Sequence, residues 1–243
     1  MAVEGSATGR QVVLRRARAL VVAAMAGLLA GVVIGGLGGR LAMLILRLTS
    51  SPGLHGAETD DGFTIGIVSS ATFFLLVFTA IFGLIGGVVY VVVRTWIPPG
   101  ARSLVFGALS GVVGGALVIR PGGIDFTLLR PLALALGMFV ALPAVYGVAV
   151  SVFVERWLPS SKEQPSLAWL AGLVPAILPI ALIGLRGGFL FLAVSIVFTF
   201  ALFRPGATRL VTAPTVVRLG RVGLVAVGAG YALALGRDIV EVL

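Results

Sequence analysis

The chain has 243 residues, of which 59% are hydrophobic and 11% charged, with a mean hydropathy of +1.15 and a net charge of +9. Soluble domains contain about 45–50% apolar and about 25% charged residues. This composition therefore excludes a soluble globular domain and indicates an integral membrane protein. The absence of cysteine excludes disulfides, thiolate metal ligands and a thiol nucleophile. All but one of the 18 cations are arginine, and asparagine is absent. This bias indicates a bacterium with GC-rich coding.

The N-terminal residues 1–18 are polar and basic, and an apolar run from Ala19 to Gly39 follows them. That run is 21 residues long, whereas the apolar core of a signal peptide has about 7–15. We therefore predict a basic cytoplasmic tail at 1–18 and a first membrane span that is retained in the mature protein.

A helix needs about 20 residues to cross a hydrocarbon core of about 30 Å. On this criterion the sequence predicts an all-α integral membrane protein, a polytopic bundle of seven helices. The fifth and sixth spans are short and contain Pro175 and Pro179, so a re-entrant hairpin is an alternative to two full crossings. The predicted spans are residues 19–40, 63–93, 103–119, 131–154, 166–185, 188–203 and 217–236.

A glycine-rich stretch, Gly27–Arg40, is repeated at Gly107–Arg120 with eight of 14 positions identical. Glycines at every fourth position place bare backbone along one helix face, so a neighbouring helix can approach closely. The pattern predicts glycine-zipper packing. The helix-packing positions are Gly27, Gly31, Gly35 and Gly39 in the first copy and Gly107, Gly111 and Gly115 in the second.

Each glycine-rich helix is followed by a second span that ends in a tryptophan with a proline two residues later, at Trp96 and Trp157. We interpret both tryptophans as interfacial anchors. Because each unit holds two spans, the copies have the same orientation and form tandem parallel repeats of a two-helix hairpin. The predicted organisation is 1–18 tail, 19–98 first hairpin, 99–160 second hairpin, 161–205 a third, degenerate hairpin as an open alternative, and 206–243 a basic loop with the last span.

The charges divide unequally between the two sides of this topology. The side of the N-terminus collects twelve cations and three acidic residues, and the other side collects six of each. By the positive-inside rule the basic side is cytoplasmic, so the N-terminus is inside and the C-terminus outside the bacterial inner membrane. A basic rim predicts anionic lipid as a partner, and not nucleic acid.

Ionisable groups converge at the outer rim, where the odd spans end in arginine and aspartates precede the even spans. One interpretation is a site for an anion or a lipid headgroup, and the other is snorkelling arginines with structural ion pairs. For the structural alternative we expect Arg40 to pair with Asp125 and Arg120 with Asp61. The candidate site residues are Arg40, Arg120, Arg186, Arg237, Asp61 and Asp125.

The longest outer loop contains His55, Glu58 and Asp60. These residues are weak candidates for a divalent metal site, because a single imidazole with nearby carboxylates is a common pattern in solvated loops. The predicted spans contain no Asp, Glu, Lys or His, which disfavours proton-coupled transport and serine catalysis. We predict no catalytic residue and no cofactor.

The sequence favours one function and leaves two alternatives open. The first is passive or facilitated transport of a small solute or ion, because close glycine packing and prolines within spans suit a bundle that rearranges. The second is a non-catalytic scaffold or an accessory subunit of a larger membrane complex. The protein partners are then other copies of this chain, in a homo-oligomer, or the other subunits of that complex. The third is a lipid-binding or lipid-modifying protein that uses the outer-rim cluster.

Overall fold

A computed structural model describes residues 2–50, 70–123, 126, 129–158 and 213–243. In these ranges every regular element is helical, and five helices are long and apolar enough to cross a membrane. The elements are α1 (Ala2–Ala30), a π-helical segment (Gly31–Gly38), α2 (Gly39–Thr49), α3 (Ser70–Val93), a 3₁₀ turn (Pro99–Ala101), α4 (Arg102–Val118), α5 (Leu132–Trp157) and α6 (Pro214–Val242).

These helices confirm the all-α expectation and the apolar, membrane-protein character for the described part of the chain. They correspond to the first, second, third, fourth and seventh predicted spans. The fifth and sixth predicted spans, at 166–185 and 188–203, lie outside the described residues. A total of seven spans therefore stays a prediction.

The first helix is longer than the sequence predicted. Helical residues continue from Ala17 through the π-helical segment and Arg40 to Thr49, whereas the predicted span is 19–40, so the helix extends beyond the predicted span. The residues after Arg40 are mostly leucine, methionine and isoleucine, with no proline or glycine to stop the helix. Arg40 can stay within the helix because its guanidinium donates a hydrogen bond to the Thr72 hydroxyl of α3.

The described helices pack mainly as two antiparallel pairs. The first helix packs against α3, with Gly27 beside Gly83. The α4 and α5 helices form the second pair, with Gly111 against Ala144 and Val140. Helix α5 also contacts the first helix and α3, which joins the two pairs into one bundle.

Helix α6 packs on the outside of α4 and runs parallel to it. Gly228 lies against Leu109, and seven residues further along α6, Leu235 lies against Gly115. This order places the start of α6 at the same end of the bundle as the start of α4. Most of the remaining surface of α6 is exposed.

The largest buried cluster joins four helices near the end where α3 and α5 stop. Ala23 and Ala26 of α1 leave room for Tyr90 of α3, which is fully buried and contacts Phe106 of α4 with ring centroids 4.9 Å apart. Val150 of α5 completes this cluster. This apolar cluster packs next to the polar network described below.

Candidate functional site: a carboxylate shared by two arginines

The carboxylate of Glu155, in the last turn of α5, accepts three side-chain hydrogen bonds. One oxygen accepts a hydrogen bond from the Tyr90 hydroxyl at 2.7 Å. The other oxygen accepts from Arg94, just after α3, at 2.9 Å, and from Arg102, the first residue of α4, at 3.0 Å. This network ties together the ends of three helices.

Local sequence explains why these groups meet. The α3 helix ends at Val93, and Pro98 with the Pro99–Ala101 turn redirects the chain into α4 within a few residues. Arg94 and Arg102 therefore lie on either side of one tight connection. Because α5 runs antiparallel to α4, its last turn brings Glu155 to the same place.

The network has an excess of positive charge. Two guanidinium groups bind the same carboxylate oxygen, so their bound nitrogens lie within about 6 Å of each other. The side chains of Arg94 and Arg102 are 22% and 18% exposed, and that of Glu155 is 32% exposed. Within the described residues, the buried Nε atoms of both arginines find no acceptor. Among the described residues, the single carboxylate of Glu155 therefore does not neutralise both guanidinium groups.

The neighbouring tryptophan belongs to the same end of the bundle. Trp96 is partly buried, Gly220 of α6 lies against its ring, and Arg221 donates from Nε to the Trp96 carbonyl at 2.9 Å. The indole N–H of Trp96 is buried and has no acceptor among the described residues. Trp157, by contrast, is 43% exposed and stacks on Phe153 at 5.2 Å. The two predicted anchors therefore have different surroundings, and their anchoring role stays a prediction.

The predicted outer-rim site is only partly covered by the described residues. Arg40 bonds to Thr72, Arg120 is exposed, and Arg237 pairs with Glu241 on its own helix at 2.8 Å. The remaining candidates, Arg186, Asp61 and Asp125, lie outside the described residues. The proposed pairs of Arg40 with Asp125 and of Arg120 with Asp61 therefore stay predictions.

The weak metal candidates His55, Glu58 and Asp60 also lie outside the described residues. In the part that the structure describes, no group of three or more His, Cys, Asp or Glu side chains is placed to hold a metal ion.

Most of the predicted packing glycines of the first helix lie against α3. A methyl group at Gly27 would overlap the Gly83 carbonyl oxygen, one at Gly31 would lie 2.9 Å from the Gly83 Cα, and one at Gly35 would lie 3.1 Å from the Thr79 Cβ. At Gly39 an added methyl would meet no atom of the described residues within 4 Å.

The glycines of the second copy lie against α5. A methyl at Gly107 would lie 2.5 Å from a Val148 methyl, one at Gly111 would lie 2.9 Å from the Ala144 Cβ, and one at Gly115 would lie 2.9 Å from a Val140 methyl. This pair of helices contacts mainly through small side chains, and the first pair mainly through backbone.

Sequence reasoning missed the Glu155 network, since it treated Arg94, Arg102 and Glu155 only as members of a charge count. A signal was present: Arg94 and Glu155 each stand two residues before the tryptophan that closes a hairpin, Trp96 or Trp157. Opposite charges at corresponding positions of a duplicated unit could have suggested that the two positions face each other.

No family model, no curated protein and no solved structure matches this chain.

Proposed function

We propose that this chain is a multi-pass protein of the bacterial inner membrane that acts as a non-catalytic scaffold or accessory subunit of a larger membrane complex. The observation that carries the proposal is the use of hydroxyl groups within the helices. A solute path needs polar groups that are free to replace hydration water, and three hydroxyls within the described helices already donate to backbone carbonyls of the bundle. They bond as Tyr146 to Gly83 at 2.6 Å, Thr79 to Leu75 at 2.9 Å and Ser151 to Val148 at 2.7 Å.

An aromatic row on α3 supports the same proposal. Phe74, Phe78 and Phe82 are 55%, 40% and 54% exposed, and consecutive ring centroids lie 6.0 and 4.4 Å apart. Neighbouring rings along one helix face form a ridge, and aromatic side chains dominate the energetics of the interfaces in which they pack. The ridge is where we place the contact with a partner subunit.

The test combines flux with cross-linking. We expect the purified protein in liposomes to leave the permeation of water, glycerol, potassium and chloride at the level of empty vesicles. A photoreactive residue at Phe78 should give, in native membranes, one protein adduct of defined mass, while the same residue at Leu104, which is 76% exposed on α4, should give lipid adducts. Solute flux above that of empty vesicles, or only lipid adducts at Phe78, would contradict the scaffold.

Passive or facilitated movement of a small solute or ion is the second candidate, and one observation favours it. The eight-residue π-helical segment Gly31–Gly38 interrupts the first span, and Pro143 lies inside α5. Segments of π-helix occur frequently at functional sites, and an internal proline removes a backbone hydrogen bond. Both features would help the helices to change register. A positive flux assay would therefore favour this second candidate.

We also propose that the architecture is a tandem parallel repeat with glycine-zipper packing and seven spans. Contact registers support it. In the first repeat Gly27 contacts Gly83, and in the second Gly107 contacts Ala144. The glycine-rich helices of the two repeats align with an offset of 80 residues, and their partner helices align with an offset of 61. The shift of 61 also superposes Trp96 on Trp157. Contacts and rim motifs therefore follow one alignment.

The proposed topology places the Glu155 end in the cytoplasm, where anionic lipid is the expected partner. Because the chain lacks cysteine, single cysteines can report on each side. In spheroplasts we expect an impermeant maleimide to label Leu243→Cys at once and Thr95→Cys only after lysis; both positions are exposed. The reasons are the excess of cations at the Thr95 end and the positive-inside rule. Labelling of Thr95→Cys in intact spheroplasts would reverse this orientation.

A further inference from the structure

We propose that Arg94 and Arg102, held by Glu155, form a binding site for the phosphate of an anionic lipid headgroup. The proposal requires only that this end of the bundle lie at a membrane surface, and it holds whether the protein is a scaffold or a transporter. It differs from the predicted outer-rim cluster, since it lies at the opposite end of the helices.

Charge is the first argument. Two guanidinium groups and one carboxylate leave one positive charge in a half-buried setting, where an uncompensated charge is more costly than in water. Each arginine binds Glu155 through a single terminal nitrogen, although a guanidinium has five N–H donors in a planar fork. The 22% and 18% of these side chains that are exposed give an incoming anion a route to them.

Donor chemistry is the second argument. The buried Nε atoms of Arg94 and Arg102 lack acceptors among the described residues, and buried donors without partners point to an ion or water that satisfies the group or its neighbours. Arginine pairs of this spacing suit phosphate, which accepts several charge-assisted hydrogen bonds at once.

Position selects the lipid as the source of the phosphate. The two arginines stand at the junction of α3 and α4, where apolar helices end. Partly buried Trp96 lies two residues from Arg94, and tryptophan is enriched at the level of the headgroups. Glu155 orients both guanidiniums before a ligand arrives, which reduces the ordering that binding requires.

The test measures phosphatidylglycerol binding to the full chain in neutral detergent by native mass spectrometry. The variant Arg94→Lys with Arg102→Lys keeps both charges and the ability to bond Glu155, but removes the guanidinium forks. We expect it to bind phosphatidylglycerol at least about tenfold more weakly, with an unchanged melting temperature. The matched control is Arg156→Lys, one residue from Glu155 on the exposed side of α5, and it should bind as the native protein does.

Three results would overturn the proposal. The first is equal binding of phosphatidylglycerol and phosphatidylcholine, and the second is equal loss of binding in the control variant. The third is displacement of the lipid by millimolar inorganic phosphate, which would assign the site to a free anion instead.

Discussion

Gly27→Ala should destabilise the protein, whereas Gly39→Ala should stabilise it, although both glycines belong to the same four-residue series in one continuous helix. At Gly27 the new methyl would overlap the carbonyl oxygen of Gly83 and lie 3.0 Å from the Gly87 Cα. Backbone cannot rotate away as a side chain can, so the two helices must separate. Overpacking of this kind costs about 1–3 kcal/mol, and Gly27→Leu should cost more.

The control isolates the steric effect from helix propensity. A methyl at Gly39 meets no atom within 4 Å in the part of the chain that the structure describes, so only the propensity gain of about 0.5–1 kcal/mol over glycine is expected. Unfolding free energies from titration with a denaturing detergent measure both variants. If Gly27→Ala and Gly39→Ala change stability by the same sign and size, the contact between the first helix and α3 is not as described.

The contrast between these two glycines shows how much of the helix packing could be predicted from the sequence. Period and composition predicted helices, approximate spans and a small-residue face, because apolar length and glycine spacing are local properties. They could not tell Gly27 from Gly39, since the difference is set by which residues of the first helix lie against the described part of α3. The same limit applies to the extension of the first helix beyond the predicted span: the hydrogen bond that Arg40 donates to Thr72 comes from another helix.

The polar site was less predictable than the fold. Charge sorting placed Arg94, Arg102 and Glu155 on one side together, and the described ends of α3, α4 and α5 do bring them to one end of the bundle. Counting charges treats all rim residues alike, however. Selection of Glu155 over the neighbouring charges depends on the short connection between α3 and α4 and on the antiparallel path of α5. Both are tertiary features.

The second large effect concerns Glu155→Gln, which we expect to lower the unfolding free energy by about 1.5–3 kcal/mol, the usual worth of hydrogen bonds to a charged group. The substitution keeps the size of the side chain but leaves two guanidiniums close together without a counter-charge. A double-mutant cycle of Arg94→Gln with Glu155→Gln isolates the pairwise part. Its coupling should exceed that of Arg237→Gln with Glu241→Gln, an exposed pair on one helix worth about 0.3–0.5 kcal/mol.

Charge reversal tests whether Arg94 and Glu155 occupy corresponding, facing positions. In the double variant Arg94→Glu with Glu155→Arg, the pair is restored with opposite polarity, but Arg102 then faces a guanidinium where it bonded a carboxylate at 3.0 Å. Recovery should therefore be partial, and adding Arg102→Gln should raise the stability of the reversed protein while lowering that of the native one. If Arg102→Gln has the same effect in both backgrounds, the three charges do not share one site, because coupled groups cannot give additive changes.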